Sequence, residues 1–498
     1  MNRKLKRRCL QELRQTFQVE SFRPGQKAAA SCLLSGRDLL CVLPTGAGKS
    51  LCWQLPAAVH PGITVVVTPL IALMEDQLRR LQEKGIAAVA LHSLMTRQEL
   101  YQAEAAIRRG EMKVVFVAPE RLDSGAFRNL MQAAPPWLVV VDEAHCIVEW
   151  GGEFRPAYRQ IGAFISALPQ RPVVCAMTAT ADARMQQQIV ESLRMGFVKR
   201  VMLPVLRPNL QYRVITTTAN TQEILRITGS RPVRTVIFCR SRRRTEQLAA
   251  QLCRAGLSAE HYHAGLTREE RTAVQARFSA GQTTLLAATT AFGMGIDIPD
   301  IRRVIHDSLP ESVTELVQQS GRAGRDGQAA DCVILLHPAD LIRRGRILSA
   351  AAYEERWRPV RFFRAMREQW KPLRQLLSVL LTAPCIPAAI SAAFGQREGR
   401  CGCCSACMHG PLLGRTPPLP YMSERALRLW LLKWQRDALA RRRGCRPEEI
   451  MDAELLHQAA DSMRIPDLDD PEARAAMQRL MAAIVREYVH KKPVRGEE

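Results

Sequence analysis

The chain has 498 residues, with hydrophobic residues at 47% and charged residues at 24%, values that exclude wholesale disorder and leave room for about three domains with their own cores. Its 71 Lys+Arg against 48 Asp+Glu give a net charge of +23, which favours a long polyanion, such as nucleic acid, over neutral or cationic partners. No apolar stretch follows the basic start MNRKLKRRCLQELRQTF, so a secretory leader is not expected and the thiols are expected to stay reduced, in the cytoplasm.

From residue 38 onward, short apolar β-branched runs alternate with helical patterns: DLLCVL, ITVVVTP, AAVALH, KVVFVAPE, WLVVVDEAH and PVVCAMTAT. A second set follows, RTVIFCRS, HYHAG, TTLLAAT, RRVIHDSL and DCVILLH, after a hinge expected at LPVLRPNLQ, 203–211. Strands buried on both faces and joined by helix-length connectors predict two successive parallel α/β sheets. Beyond Asp340 the pattern turns helical and basic, and Pro384 and Pro387 divide the uncharged run 376–394 into two buried helices rather than a membrane span. The expected domains are 1–205, 206–340, a helical metal-binding region 341–410 and a final helical region 421–490.

In the first set, LLCVLPTGAGKSLCWQLP reads as strand, glycine-rich turn and helix start. Thr45, Gly46 and Gly48 suit a phosphate cradle at a helix N-terminus, with Lys49 reaching the β/γ-phosphates and Ser50 offering its hydroxyl to Mg²⁺. Leu43 stands where the full P-loop pattern has glycine. About 90 residues on, Asp142 and Glu143 end an apolar strand, suited to holding Mg²⁺ and to orienting and deprotonating a water. In the second set, Arg322 and Arg325 lie three apart on a glycine-rich element, which suits an arginine finger. Together these residues predict NTP hydrolysis.

The ordered motifs PTGAGKSLCWQLP, TPLIALMEDQ, DEAHCIVEWGGEFRPAY, MTATA, HYHAGL, AFGMGIDIPDIRRVIH and QQSGRAGRDG resemble those of RecQ-family DNA helicases of superfamily 2, over about residues 10–410. The resemblance implies two RecA-like P-loop domains that close on ATP and step 3′→5′ along one strand, in recombination or repair. It matches Gln26 and Arg23 to the adenine-binding positions, with Val19 where an aromatic is usual. His145 takes the coupling position and Gln318, Arg322 and Arg325 the last motif, with Asp297 counted among the nucleotide-binding residues. Trp150, Phe154 and Arg155 match a loop that senses single-stranded DNA, with Glu149 and Gly152 in place of its usual glutamine and histidine; packing between lobes is the alternative reading of the two rings. Expected partners are single-stranded and partly duplex DNA, with a single-strand-binding protein or other repair proteins as candidates.

Five of the fifteen cysteines fall in CGCCSAC, 401–407. The resemblance implies a four-cysteine zinc site and selects Cys385, Cys401, Cys404 and Cys407, leaving Cys403 over. A set using Cys403, a His409 ligand or an iron–sulfur cluster are the alternatives. Only about a dozen residues separate Cys407 from the next helical segment, too few for the family's winged helix. The segment 425–466 resembles the first half of an HRDC domain, or else a generic helical bundle. The alternative to a robust helicase is a DNA-stimulated translocase or remodeller that unwinds weakly and works with a partner.

Overall fold

The computed structural model describes residues 3–489, except Thr45, Leu70, 150–155, 293–297, 338–339, 342, 345–347, 349–358 and 414–423. The chain divides into two compact units, the first built on Met1–Arg207 with Ser391–Arg397, the second on Pro208–Phe292, Ile298–Ile390 and Glu398–Glu498.

The first unit carries seven parallel strands: β1 Asp38–Val42, β2 Thr64–Val67, β3 Ala88–Leu91, β4 Val114–Val117, β5 Leu138–Val141, β6 Val173–Thr178 and β7 Val198–Met202, in the order β3-β4-β2-β5-β6-β1-β7. Strands β1, β2, β4 and β5 are buried throughout because helices cover both faces. Successive residues therefore feed two separate apolar layers. Leu39, Cys41, Val66, Phe116 and Val140 pack with Trp53, Leu13 and Phe17 on one side, while Leu40, Val42, Val65, Val115 and Val139 meet Phe127 and Phe164 on the other. The one charged residue of β1, Asp38, is 3% exposed and fully engaged: it accepts from Val174 N at 2.9 Å and Gly196 N at 2.7 Å, and pairs with Arg171 at 2.5 Å.

The second unit has six parallel strands, β8 Leu210–Thr216, β9 Thr235–Phe238, β10 Ala259–Tyr262, β11 Leu285–Ala288, β12 Arg303–His306 and β13 Ala330–Leu336, in the order β10-β11-β9-β12-β13-β8. Ile224, Ile237, Leu248, Leu285, Ile305 and Val333 form its main apolar layer. Two strands fall outside the runs expected from the sequence: β7, and β8, which begins inside the expected hinge. Both are terminal strands of their sheets. Lys199, Arg200 and Met202 of β7 are exposed, and β8 alternates between buried and open positions, so neither has a continuous apolar run.

The uncharged run breaks as its prolines predict: helix Pro359–Leu377 passes into a wide turn, Ser378–Thr382, and a new helix runs from Ile386 to Ala393. Among the described residues no helix is long and apolar enough to cross a membrane. Ser391–Arg397 joins the first unit through Gln396, whose amide accepts from Val205 N at 2.9 Å and donates to Leu203 O at 3.0 Å. The short helix Ser405–His409 lies beside β8, and Val214 N of that strand donates to Ser405 Oγ at 3.1 Å. The last helices, Glu424–Arg443, Ala453–Ser462 and Pro471–Val489, pack around the first of the three, with Leu431, Trp434, Leu456, Ala459, Met477 and Leu480 buried.

Candidate nucleotide site and cysteine centre

In the first sheet, β5, β6 and β1 are neighbours, and their carboxyl ends release three sequence motifs side by side: Asp142-Glu143, Thr178–Thr180 and the glycine-rich turn. Leu43, the residue that departs from the P-loop pattern, is fully buried and its N–H bonds Thr178 O at 3.1 Å, so it belongs to the core rather than to the turn.

Gln26, 2% exposed, organises that turn. Its Nε2 donates to Ala47 O at 3.2 Å and Gly48 O at 3.0 Å, its Oε1 accepts from Arg23 N at 2.8 Å, and Arg23 Nη1 donates to Gly46 O at 2.8 Å. Gly48 has φ +76°, and a Cβ there would stand 2.5 Å from Gln26 Nε2, so the amide reaches the loop only because glycine occupies this position. Ser50 opens helix Leu51–Val59 without using its side chain as a cap.

Lys49 Nζ is buried and, among the described residues, has no hydrogen-bond partner. Its charge acts on Asp142, whose carboxylate accepts from Gln77 Nε2 at 3.2 Å and Glu143 N at 3.0 Å. Burial, reinforced by Glu143, raises the Asp142 pKa to about 6 against the opposing pull of Lys49. Glu143 has φ 49°, a left-handed backbone that costs a non-glycine residue on the order of 1–3 kcal/mol. His145 Nδ1 lies 3.4 Å from Glu143 Oε2 and 3.1 Å from Thr178 Oγ1. Because the Thr178 hydroxyl donates to Thr180 O at 3.0 Å, the imidazole must donate to it from Nδ1. A polar line thus runs from the end of β5 to the end of β6. This donor set, a buried ammonium beside carboxylates and a free serine hydroxyl, fits a nucleotide phosphate with its Mg²⁺.

Among the second unit's expected residues, Gln318 lies on helix Val313–Ser320, and Arg322 and Arg325 lie in the turn after it. Gly324, at φ +57°, anchors that turn: Asn209 Nδ2 donates to Gly324 O at 2.9 Å and Gln328 O at 2.7 Å, and a Cβ on Gly324 would stand 2.5 Å from that nitrogen. Arg302 pairs with Asp326 at its far side. Gln77, Thr178 and Asn209 had no role assigned from sequence. For Thr178, a polar residue ending the apolar run VVCAM is the available signal.

The Sγ atoms of Cys385, Cys401, Cys404 and Cys407 all lie within 4.8 Å of one another, with Cys401 and Cys407 at 3.9 Å. Four thiolates about 2.3 Å from a tetrahedral zinc stand roughly 3.8 Å apart, so the cluster fits that ion. Backbone N–H groups already address the sulfurs: Cys401 N to Cys385 at 3.3 Å, Cys404 N to Cys401 at 3.3 Å, Cys407 N to Cys404 at 3.4 Å and Ile386 N to Cys404 at 3.5 Å. Burial pushes Cys404 up to about 12, whereas at Cys401 the N–H groups of Cys403 and Cys404 overcome burial and lower the thiol to about 6. Cys403 and His409 stand outside the cluster found among the described residues.

Comparison with known proteins matches residues 23–189 to the DEAD/DEAH box helicase family and 218–327 to the helicase conserved C-terminal domain. The chain is 38% identical over 340 residues to the ATP-dependent DNA helicase RecQ of Synechocystis sp., covering 66% of this chain and 71% of that protein. The chain belongs to the RecQ family.

The RecQ protein of Bacillus subtilis is 34% identical over 395 residues, 78% of this chain, and the match spans 65% of the relative's length, just under two thirds. A crystal structure of the DUF1998 helicase MrfA bound to DNA shares the fold, with a TM-score of 0.57 at 19% identity over 70% of this chain and 54% of that one. Of the residues matched to RecQ motifs, Thr45, Trp150, Phe154, Arg155 and Asp297 lie outside the described residues.

Proposed function

We propose that this RecQ-family chain is an ATP-dependent 3′→5′ DNA helicase that couples ATP hydrolysis to movement on single-stranded DNA and to strand separation in recombination or repair. The observation that carries the reading is the buried ammonium of Lys49, after β1, set against Asp142 and Glu143 at the end of β5, with β6 between the two strands. Lys49, Ser50 and the turn's backbone N–H groups hold the phosphates and, with Asp142, the Mg²⁺. Bound Mg²⁺ supplies charge neutralisation on the phosphates. Glu143 takes the proton of the attacking water, and His145 relays the state of that carboxylate to Thr178. Arg325 stabilises negative charge developing on the γ-phosphate, with Gln318 and Arg322 beside it in sequence. Arg23 and Gln26 contact the base, and Trp150, Phe154 and Arg155 contact DNA. Cys385, Cys401, Cys404 and Cys407 hold a structural zinc. A single-strand-binding protein or another repair protein is the proposed partner, and the cytoplasm the proposed location.

The test is strand displacement with ATP and Mg²⁺. Purified protein should release a strand from a 3′-tailed duplex, and Lys49→Ala should abolish both release and hydrolysis. Equal release from 5′-tailed duplexes would refute the polarity. DNA-stimulated hydrolysis without displacement would instead assign the chain as a translocase.

A further inference from the structure

Helix Val313–Ser320 leads directly into the turn that carries Arg322 and Arg325, so whatever fixes the helix aims both arginines. Its leading end is held by an arrangement that the sequence motifs do not include. Glu311, two residues before the helix, receives two guanidinium groups on one oxygen: Arg344 Nη1 at 2.6 Å and Arg240 Nη2 at 3.2 Å from its Oε1. Arg240 follows β9, and Arg344 lies beyond β13, where the chain leaves the sheet. Three separate parts of the second unit therefore meet at one carboxylate.

The contact continues into the helix. Glu311 N donates to Glu315 Oε2 at 2.5 Å, Glu315 N donates to Ser312 Oγ at 3.1 Å, and Gln319 Nε2 donates to Glu315 Oε1 at 2.7 Å. Gln319 is 9% exposed and stands three residues before Arg322. Without the Glu311 charge, Arg240 and Arg344 would lose the carboxylate they share and keep only the weaker pull of Glu315, which both also feel. The side chain of Arg344 is only 12% exposed, so water screens that guanidinium weakly, although Glu311 itself is 58% exposed. An eight-residue helix is about 12 Å long and stiff, so a tilt at its start reaches the arginine turn undiminished. The same helix touches helix Pro359–Leu377 of the region that follows the sheet.

We propose that Glu311, clamped between Arg240 and Arg344, is a positioning residue for ATP hydrolysis: it sets the orientation of helix Val313–Ser320 and, through it, of Arg322 and Arg325. This rests on the hydrolysis proposed above. The clamp acts on the transition state rather than on ATP binding, so its loss should lower kcat and leave KM unchanged.

The experiment uses the full chain with saturating single-stranded DNA. Glu311→Gln and Arg344→Met should each lower kcat for ATP about tenfold, as a misplacement near 1 Å implies, with KM for ATP unchanged. The double variant should be no worse than either single one, and Arg344→Lys should retain most of the activity. Glu111→Gln, which breaks an exposed ion pair with Arg109, is the control and should change nothing. Hydrogen exchange of the amides of 313–320, measured without ATP, should rise in Glu311→Gln and Arg344→Met alone. An unchanged kcat, strictly additive losses, a raised KM or unaltered exchange in 313–320 would overturn the clamp. Wild-type protein that hydrolyses no ATP would overturn the proposed function instead, while the exchange measurement would still judge the clamp.

Discussion

Replacing Gln26 with alanine should loosen the nucleotide-free P-loop, because this amide ties Arg23 N to the carbonyl oxygens of Ala47 and Gly48. Three hydrogen bonds at about 1 kcal/mol each set the upper bound. Gln26 itself is 2% exposed, but the loop carbonyls it serves are only part-buried and regain water, which brings the expected loss to about 2 kcal/mol. For a unit of this size that is a fall in melting temperature of roughly 4–8 °C. Calorimetry of the full chain without nucleotide measures it, and the shift should fall on the transition that saturating ATP raises in the wild type. The same substitution should raise the KM for ATP, since the base contact and the loop's shape are lost together. A shift below about 1 °C with unchanged KM would refute the role given to Gln26.

Two further outcomes bear on the second unit. Cys404→Ser should release the proposed zinc, read by a colorimetric chelator after proteolysis or by elemental analysis, and lower the stability of the region around it; Cys403→Ser should retain metal and stability. Asp340, 5% exposed, has its pKa raised to about 6 from 3.8, by burial first. A carboxyl raised on folding makes its stabilising contribution below about pH 4 and loses it as pH climbs to about 6. The shift corresponds to at most about 3 kcal/mol at pH 7.5, less what Arg343 loses with its partner. Asp340→Asn should therefore raise the urea midpoint of this unit at pH 7.5 and leave it unaltered at pH 4. A gain of equal size at both values would rule out the titration.

The buried strands were readable because helices cover both faces of these sheets, so β1, β2, β4 and β5 are apolar without interruption. The terminal strands β7 and β8 were not, since a strand open on one side carries Lys199 and Arg200 as readily as valine. In the candidate site, Lys49 follows β1 and Asp142 and Glu143 follow β5, and in each case the apolar run before the motif marks the strand end in the sequence. Gln77 could not be placed this way: on an amphipathic helix a glutamine reads as surface until the fold turns it toward Asp142. Nor could Asn209, whose partners at Gly324 and Gln328 lie more than a hundred residues away. The spacing of the cysteines left Cys403 as an alternative ligand, and only the folded loop separates it from the other four.

The bond from Val214 N to Ser405 Oγ gives the cysteine loop a second task. Strand β8 closes one end of the second sheet, and its outward amides are a template on which another extended chain can pair. Helix Ser405–His409, tethered on its N-terminal side by Cys404, occupies that flank and takes up one of its donors. Loss of the proposed zinc would therefore do more than soften a helical region. It would bare a ready-made seam for self-association, so chelated protein should fail by aggregation at a rate that climbs with concentration, not by simple unfolding.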